Sequence, residues 1–596
     1  MTRGWRKKRN VVGSVVAVAV IAGATLAGGT ALRARVATGG GHDGAHASDV
    51  RLGATAGSEL VDFDVLLAMP GRAELDAFVR QVSDPASPVF HRFLTAAQLG
   101  RRFGLDDAAL HRVDAELAHL GVTVVESYPQ RTALRVRAAA AELDRSFSAN
   151  LVDFRDARTG ARFHRPGTEP VVPRALRGLV SGLAGLDSQP LDLGSGTAAG
   201  VDAGRAGRAS GDLTPPPGAL TPRVVEQAYD LAPLHRAGVI GKDQTVAILS
   251  LADLSDADVA AWDQQTGTVG APALERIVVD PVSATEDETE TALDVAGVRG
   301  VAPGAHIQLI ENGLSKTTWL ADSIAAVVKD GKAKVFSASF SGCDFAQALA
   351  DSGWDRAGTI TELQAAFGVG LNMFFSTGDW AAYACRGKWK LNDLDPTVAF
   401  PADTPYVTAV GGTHLFTSTD GKYLGEAGWE DPLSFSGTGG GLSPKDPIPS
   451  WQRGPGVHKD GISNGHRQIP DVSAAGDPES PLYVVYSNHT DSGPVRVADT
   501  VAGTSAAAPL WAGMAALLGQ SAADDHVGPL GFVNPMFYDI AASSASRAAF
   551  HDVTAGGNLL YDATPGWDFA TGLGSPDGAR LAVEVLKYLH AHPHRS

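Results

Sequence analysis

The chain has 596 residues, enough for a large enzyme domain together with a smaller companion domain. Its formal net charge of −17 at pH 7 argues against a general nucleic-acid binder, and we expect no nucleic-acid partner. A hydrophobic content of 44% with 19% charged residues excludes a largely disordered chain. The composition therefore indicates a globular protein.

The N-terminus carries the pattern of an export signal. A basic stretch at residues 1–10 precedes an apolar, small-residue segment from Val11 to Leu32. We therefore interpret residues 1–36 as a signal peptide and the mature protein as secreted. The apolar segment has about 20 residues, close to the length of a membrane span. An uncleaved anchor, with the protein facing outward, is the alternative and the only membrane contact we expect.

Residues 50–187 interleave short strands with amphipathic helices. After an alternating strand pattern at Leu60, apolar residues recur at helical spacing from Leu75 to Val82. Helices are also predicted over 107–120 and 139–147, and strands over 122–125, 133–136 and 150–154. This interleaving predicts a compact α+β domain. Residues 188–217 follow with almost no large apolar side chain, which indicates a flexible linker open to proteolysis.

From residue 218 to 592, apolar strands alternate with helical patterns. Strands are predicted over 245–249, 277–279, 306–311, 334–340, 372–375 and 407–410. Such alternation is typical of an α/β fold with a parallel sheet and crossover helices.

The most distinctive local pattern surrounds Ser505. It stands in Gly-Thr-Ser-Ala-x-x-Pro, directly before a long apolar helix. At a helix start, unpaired N–H groups and the helix dipole can stabilise an oxyanion, so Ser505 is a candidate nucleophile. A helix-capping serine is the other interpretation. A conventional base is missing, because His414 follows a strand without the small-residue helix that a subtilisin-type histidine requires.

Carboxylates offer another route to catalysis. Glu290 and Asp294 are four residues apart on a predicted helix, so they project from one face and can share a proton in acid. Asp379 follows a strand in Ser-x-Gly-Asp, a position where α/β sheets often place active-site residues. Taken singly, each pattern also fits a helix-dipole interaction or a plain turn.

Together these motifs resemble the sedolisin family of serine-carboxyl peptidases, in which a subtilisin-like fold uses Glu and Asp in place of the classical histidine and aspartate. Further matching blocks occur in the same order at 400–402, 410–413, 437–441 and 470–474. Upstream, Ser83-Asp84-Pro85 and the block 90–95 resemble a kumamolisin-type propeptide, which implies a ferredoxin-like activation domain. The resemblance covers about residues 55–585.

The resemblance implies a role for each reactive residue. Ser505 attacks the peptide carbonyl, Glu290 acts as general base and then acid, and Asp294 orients Glu290. Asp379, as a protonated acid, donates a hydrogen bond to the oxyanion. It further implies an acid-acting serine-type endopeptidase or tripeptidyl-peptidase, made as a proenzyme whose propeptide inhibits it intramolecularly. We expect protein or peptide substrates and a monomeric enzyme.

The C-terminal region resembles the calcium site of the family. The segments 550–556 and 564–576 carry the similarity, and one Ca²⁺ per chain is implied. About six oxygen ligands are needed. The carboxylates of Asp552 and Asp568, the carbonyls of Val553, Thr564 and Gly566, and a water would supply them. Thr564 stands where the family often has glycine.

Two positions depart from the family pattern. Some members extend the proton network with an acid at the end of the first strand and a tryptophan in a later one, whereas this chain has Ser250 and Phe340. Either the network is shorter or the acid optimum shifts.

Two other interpretations of the chain stay open: a conventional Ser/His/Asp subtilase, and an inactive, calcium-stabilised exported binding protein. The two cysteines, Cys343 and Cys385, could form one disulfide or remain free thiols.

Overall fold

The computed structural model describes residues 49–157, 160–189, 213–282, 288–313, 316–344, 355–386, 394–454, 457, 463–490, 493–543 and 547–593. The predicted signal, residues 1–36, and most of the predicted linker, residues 190–212, lie outside this part of the chain. Within the described residues, no helix is long and apolar enough to cross a lipid bilayer.

The N-terminal unit is an α+β domain, as predicted. Its helices are α1 (Arg72–Val82), α2 (Ala96–Phe103), α3 (Asp107–His119) and α4 (Ala140–Phe147). Its strands are β1 (Val50–Ala54), β2 (Leu60–Leu67), β3 (Thr123–Ser127), β4 (Ala133–Ala139), β5 (Leu151–Arg155), β6 (Arg162–Pro166) and β7 (Val180–Ala184). The main sheet has the order β3-β4-β2-β7, with antiparallel neighbours. This is the order of a ferredoxin-like unit.

The C-terminal unit is larger and contains nine of the helices that we label. They are α5 (Pro222–Ala228), α6 (Ala232–Arg236), α7 (Asp256–Thr266), α8 (Thr289–Val301), α9 (Trp319–Asp330), α10 (Arg356–Gly368), α11 (Thr504–Asp524), α12 (Asn534–Ala542) and α13 (Gly578–Ala591). Its first strands are β8 (Thr245–Ser250), β9 (Glu275–Asp280), β10 (His306–Asn312), β11 (Val335–Ala338), β12 (Gly342–Cys343), β13 (Asn372–Ser376), β14 (Ala399–Phe400), β15 (Thr408–Thr417) and β16 (Tyr423–Gly428). The later strands are β17 (Glu430–Asp431), β18 (Ser436–Gly437), β19 (Gly441–Pro447), β20 (His466–Ile469), β21 (Val472–Ala475), β22 (Leu482–Thr490), β23 (Gly493–Val501), β24 (Phe550–His551) and β25 (Ser575–Pro576).

The central sheet of this unit has eight strands in the order β16-β15-β13-β11-β8-β10-β9, with β21 pairing β15. All pairs are parallel except β15 with β16. The inner strands are apolar and buried because helices cover both faces of the sheet. The predicted α/β fold, a subtilisin-like parallel sheet flanked by helices, is confirmed.

Helices α8 and α11 pack closely, and glycine residues allow this approach. A Cβ added at Gly297 would lie 2.7 Å from Pro509 Cγ, and one added at Gly513 would lie 2.8 Å from Val301 Cβ. Larger side chains would push the two helices apart. This contact matters because α8 carries Glu290 and Asp294, whereas α11 begins beside Ser505.

The N-terminal unit packs against α9 and α10 of the larger unit. Polar contacts include the hydroxyl of Thr318, which donates to Asp64 Oδ2 at 2.7 Å, and Leu94 N, which donates to Gly368 O at 3.1 Å. The ring of Phe93 fills the space beside Gly370, where an added Cβ would lie 2.7 Å from that ring. The interface between the two units is therefore close-packed.

Two local details differ from the sequence prediction or complete it. The strand predicted over 334–340 ends at Ala338, because Ser339 turns its hydroxyl and carbonyl toward α8 and α11 instead of toward a neighbouring strand. Cys343 and Cys385 form a disulfide with a Cα–Cα distance of 4.8 Å.

Candidate active site

Ser505 lies in the first turn of α11 and is 2% exposed. Gly503 precedes the helix with φ of +127°, a conformation that a side chain would strain. In this geometry the Ser505 hydroxyl donates to the carbonyl of Ser339 at 3.3 Å. The nucleophile position is thus buried, held by one neutral hydrogen bond, and located where the helix dipole favours negative charge.

Glu290 and Asp294 stand one turn apart on α8, as the sequence predicted. The helix begins at Thr289 and is buried along its whole length, so both carboxyl groups lie inside the protein. Burial, together with the charge of Glu290, raises the pKa of Asp294 well above its ordinary value, whereas a hydrogen bond from Ser339 lowers it in part. The pair is therefore suited to hold a proton in mildly acidic solution.

Ser339 connects this acid pair to the nucleophile. Its hydroxyl donates to Asp294 Oδ1 at 2.6 Å and lies 3.1 Å from the carbonyl oxygen of Ser505. Asp294 on α8 and Ser505 on α11 therefore contact the same buried residue, which lies directly after β11.

Asp379 approaches the start of α11 from the other side. It follows β13, and its Oδ1 accepts hydrogen bonds from the backbone N of Thr504 at 2.8 Å and from its hydroxyl at 2.9 Å. The other carboxyl oxygen, Oδ2, faces Gly503, where an added Cβ would lie 2.7 Å away. Loss of hydration raises the pKa of Asp379 to about 6, although the two hydrogen bonds from Thr504 oppose the rise.

Asp294, Asp379 and Ser505 therefore meet at the N-terminal turn of α11 through Ser339 and Thr504, and Glu290 lies one turn from Asp294 on α8. His414, the histidine that the sequence offered, does not join them in the described part of the chain. It lies within β15 instead of at its end, 3.5 Å from Asp477 and stacked on Phe416 with ring centroids 4.2 Å apart.

The two positions that depart from the family pattern contribute no charge to the site. The hydroxyl groups of Ser250 and Thr291 are 2.8 Å apart, and both donate to the carbonyl of Ala252. Phe340 is buried and lies edge to face with Trp319, with ring centroids 6.2 Å apart. Ser250 is the last residue of β8, so a pair of neutral hydroxyl groups stands where the resemblance places an acid.

The predicted calcium ligands lie in one curled loop. Gly566 N donates to both carboxyl oxygens of Asp552 at 3.0 Å, and Thr564 N donates to Asp568 Oδ2 at 2.9 Å. The carbonyls of Val553, Thr564 and Gly566 accept no backbone hydrogen bond from the described residues. All the predicted ligand atoms are oxygens, the type that Ca²⁺ prefers, so the residues present fit this ion. Among the described residues, no three acidic, histidine or cysteine side chains are arranged so that they could hold a metal ion, so carbonyls would have to complete the shell.

Sequence reasoning missed two residues of this site. Thr504 supplies both donors to Asp379, and Ser339 joins Asp294 to Ser505. Thr504 is adjacent to the predicted nucleophile, and Ser339 follows a central strand. In both cases, only this position along the chain could have marked the residue as part of the site. Which groups these hydroxyls contact depends on the packing of distant segments.

The parallel sheet and the serine at a helix start, with Asp294 and Asp379 linked to the same turn, are features of a peptidase of subtilisin-like fold, and the comparisons with known proteins show that class. Residues 48–189 match the family "Pro-kumamolisin, activation domain", and residues 282–544 match the "Subtilase family". The chain is 29% identical over 563 residues to kumamolisin of Bacillus sp. (strain MN-32), covering 90% of this chain and 93% of the relative.

Two further comparisons point the same way. Sedolisin of Pseudomonas sp. (strain 101) is 28% identical over 558 residues, covering 89% of this chain and 88% of the relative. The solved structure of Pseudomonas sedolisin, a serine-carboxyl proteinase complexed with two molecules of pseudo-iodotyrostatin, superimposes with a TM-score of 0.52 at 26% identity. It covers 63% of this chain and 99% of the sedolisin chain. These similarities identify the chain as a serine-carboxyl peptidase that resembles kumamolisin and sedolisin and carries an activation domain of the pro-kumamolisin type.

Proposed function

We propose that this serine-carboxyl peptidase is exported, acts in acid, and cleaves peptide bonds through an acyl-enzyme on Ser505. Glu290 is the general base and acid, Asp294 orients Glu290, and Asp379 donates a hydrogen bond to the oxyanion. One observation carries the proposal: two carboxyl groups are linked by hydrogen bonds to the turn that bears Ser505. Asp294 is linked to it through Ser339, and Asp379 through Thr504.

In the first step, Ser505 Oγ forms a bond to the carbonyl carbon of the substrate. The Oγ–H bond breaks and its proton passes to the Glu290 carboxylate, while the carbonyl oxygen takes the negative charge. Protonated Asp379 stabilises that oxyanion. Collapse of the tetrahedral intermediate breaks the C–N bond, and Glu290 returns the proton to the leaving amine. Water then hydrolyses the ester in the reverse sense, with Glu290 again accepting a proton.

The geometry also supports a specific site of protonation on Asp379. Because Thr504 donates twice to Oδ1, that oxygen is better suited to carry negative charge, and the proton belongs on Oδ2. A carboxyl group with a pKa of about 6 is protonated in acid and ionises toward neutrality. Activity should therefore decline as pH rises through this value.

Hydrolysis of an acid-denatured protein tests the proposal. The wild type should cleave it at about pH 4, whereas Ser505→Ala and Glu290→Gln should each lose about a thousandfold or more in kcat. Activity that survives Glu290→Gln, or that peaks above neutral pH, would contradict the carboxylate mechanism. A wild type without activity at any pH would instead favour a binding protein that retains the fold. Mass analysis of the peptides released would distinguish endopeptidase cleavage from tripeptide release.

We further propose that one Ca²⁺ ion binds the loop around Asp568. The carboxylates of Asp552 and Asp568 and the carbonyls of Val553, Thr564 and Gly566 would hold the ion, whose contribution is structural. A calcium chelator should lower the melting temperature of the wild type, and Asp568→Asn should melt early with or without it. Equal melting of the wild type in calcium and in chelator, with no calcium found by elemental analysis, would remove the site.

The activation domain is proposed to inhibit the enzyme until it is removed. Its close packing on α9 and α10 supports an intramolecular inhibitor, and cleavage within residues 188–217 would separate the two units. The basic and apolar N-terminus supports export. N-terminal sequencing of secreted protein should show that residues 1–36 are absent. A Ser505→Ala chain that matures when purified would argue against self-cleavage.

A further inference from the structure

Ser339 occupies a central position in the site, although no part of the mechanism above gives it a task. It is 3% exposed and directly follows β11. Its hydroxyl lies 2.6 Å from Asp294 Oδ1 and 3.1 Å from the carbonyl oxygen of Ser505, and its own carbonyl accepts the Ser505 hydroxyl at 3.3 Å. One serine therefore makes three contacts to the acid pair and the nucleophile.

The hydroxyl of Ser339 has one proton, so it cannot donate to both oxygens at once. When Asp294 is ionised, the proton of Ser339 goes to Oδ1, because a hydrogen bond to a charged acceptor is roughly twice as strong as a neutral one. When Oδ1 is itself protonated, Asp294 can donate to Ser339, which can then donate to the Ser505 carbonyl. The direction of this bond therefore depends on the charge of the acid pair.

We propose that Ser339 is a positioning residue that holds Oδ1 of Asp294 and favours the negatively charged state of the Glu290–Asp294 pair. With Oδ1 held, the remaining oxygen of Asp294, Oδ2, is directed away from Ser339. No described residue donates a hydrogen bond to Oδ2. The inference rests on the proposed function, because it gives Ser339 its effect through the catalytic base.

The surroundings of Asp294 make this effect measurable. Glu290 on α8 is the one charged group that acts on Asp294 among the described residues. The segment after β11 presents Ser339 and the start of α11 presents Ser505, both of which are neutral. The hydrogen bond from Ser339 is accordingly the one contact that opposes burial and the Glu290 charge.

The chain offers a matched control two residues earlier. Ser337 lies in β11, is fully buried, and its hydroxyl makes no hydrogen bond with any described residue. Ser337→Ala and Ser339→Ala thus remove the same atom from neighbouring buried positions. Ser339→Thr keeps the hydroxyl and changes only the packing.

The test is the pH dependence of kcat for a peptide substrate, measured on the matured enzyme. In Ser339→Ala the acid side of the profile should move to higher pH by about one unit, with KM within about twofold of the wild type. Ser337→Ala should keep the wild-type profile, and Ser339→Thr should return the acid side to within about 0.3 units of it. The position of the acid side does not depend on how much enzyme folds, so lower yields do not obscure the result.

An acid side of the Ser339→Ala profile that coincides with that of the wild type would overturn the role, even if kcat fell. A Ser339→Thr profile displaced like that of alanine would also overturn it, because the hydroxyl would then not be the cause. If Ser339→Ala does not fold, Ser339→Gly, which also lacks the hydroxyl, replaces it in the comparison with the same expected shift. If Ser339→Ala shows no shift and Glu290→Gln is inactive, only the role of Ser339 is refuted. If Glu290→Gln is active, the proposed function is refuted as well.

Discussion

Replacing Asp379 by asparagine should convert an acid-limited enzyme into one that keeps its oxyanion donor at neutral pH. In the proposed mechanism Asp379 donates to the oxyanion only when it is protonated, and its pKa is about 6. The Thr504 amide and hydroxyl hold Oδ1, and they would hold the amide oxygen of asparagine in the same way. The NH₂ group would then occupy the position of Oδ2 and donate at every pH.

The magnitude follows from the ionisation of Asp379. With a pKa of about 6, about half of Asp379 is protonated at pH 6 and about 1% at pH 8, so the protonated fraction falls about 50-fold over this interval. Loss of one oxyanion donor costs about 10²–10³ in kcat, so the donor effect is large enough for this fall to be seen. The ratio of Asp379→Asn to wild-type kcat should therefore rise by about 50-fold over the same interval. The Glu290–Asp294 pair titrates in both proteins, and its effect cancels in the ratio.

The assay is single-turnover cleavage of a chromogenic peptide by matured enzyme across this pH range, with Asp379→Ala as the variant that has no donor at all. Asp379→Ala should be slow throughout. A ratio of asparagine variant to wild type that stays constant with pH would refute the assignment of Asp379 as a protonated donor. So would an alanine variant as active as the wild type in acid.

Two other predictions concern stability. Burial raises the pKa of Glu426 to about 7 although several hydroxyl groups, including those of Tyr229, Thr413 and Ser575, donate to it. Its contribution to folding is therefore complete below about pH 4.5 and is lost as pH rises through 7. Glu426→Gln should remove up to about 3 kcal/mol of that pH dependence, measured by urea unfolding of the peptidase at several pH values, and unchanged dependence would contradict the shift. Gly297→Ala should destabilise the protein by about 1–3 kcal/mol and lower kcat, because the added Cβ would lie 2.7 Å from Pro509. Gly300→Ala, whose added Cβ would have its nearest contact at 3.6 Å, should be neutral or stabilising. Equal melting temperatures of the two variants would count against close packing of the helices.

Much of the fold could be predicted from the sequence because its patterns are local. The alternation at Leu60, the helical spacing from Leu75 to Val82 and the apolar strands from residue 245 onward depend only on which faces must be buried, and the structure contains each of these elements. The strand expected to reach Phe340 is the clear exception. It ends at Ala338, since the next residue makes its hydrogen bonds to two helices that the local pattern does not reveal.

The sequence by itself determined the reactive residue types and the neighbour relations within one helical turn, such as Glu290 with Asp294 and Thr504 with Ser505. Only the tertiary structure decided which of these groups share a hydrogen bond, because β11, β13, α8 and α11 are distant in the chain and meet through packing of the sheet and its helices. It also decided the pKa of Asp379, which depends on loss of water and on two donors at residue 504. Burial and distance are properties of the folded chain, and they turn ordinary carboxyl groups into acids that retain their protons near pH 6.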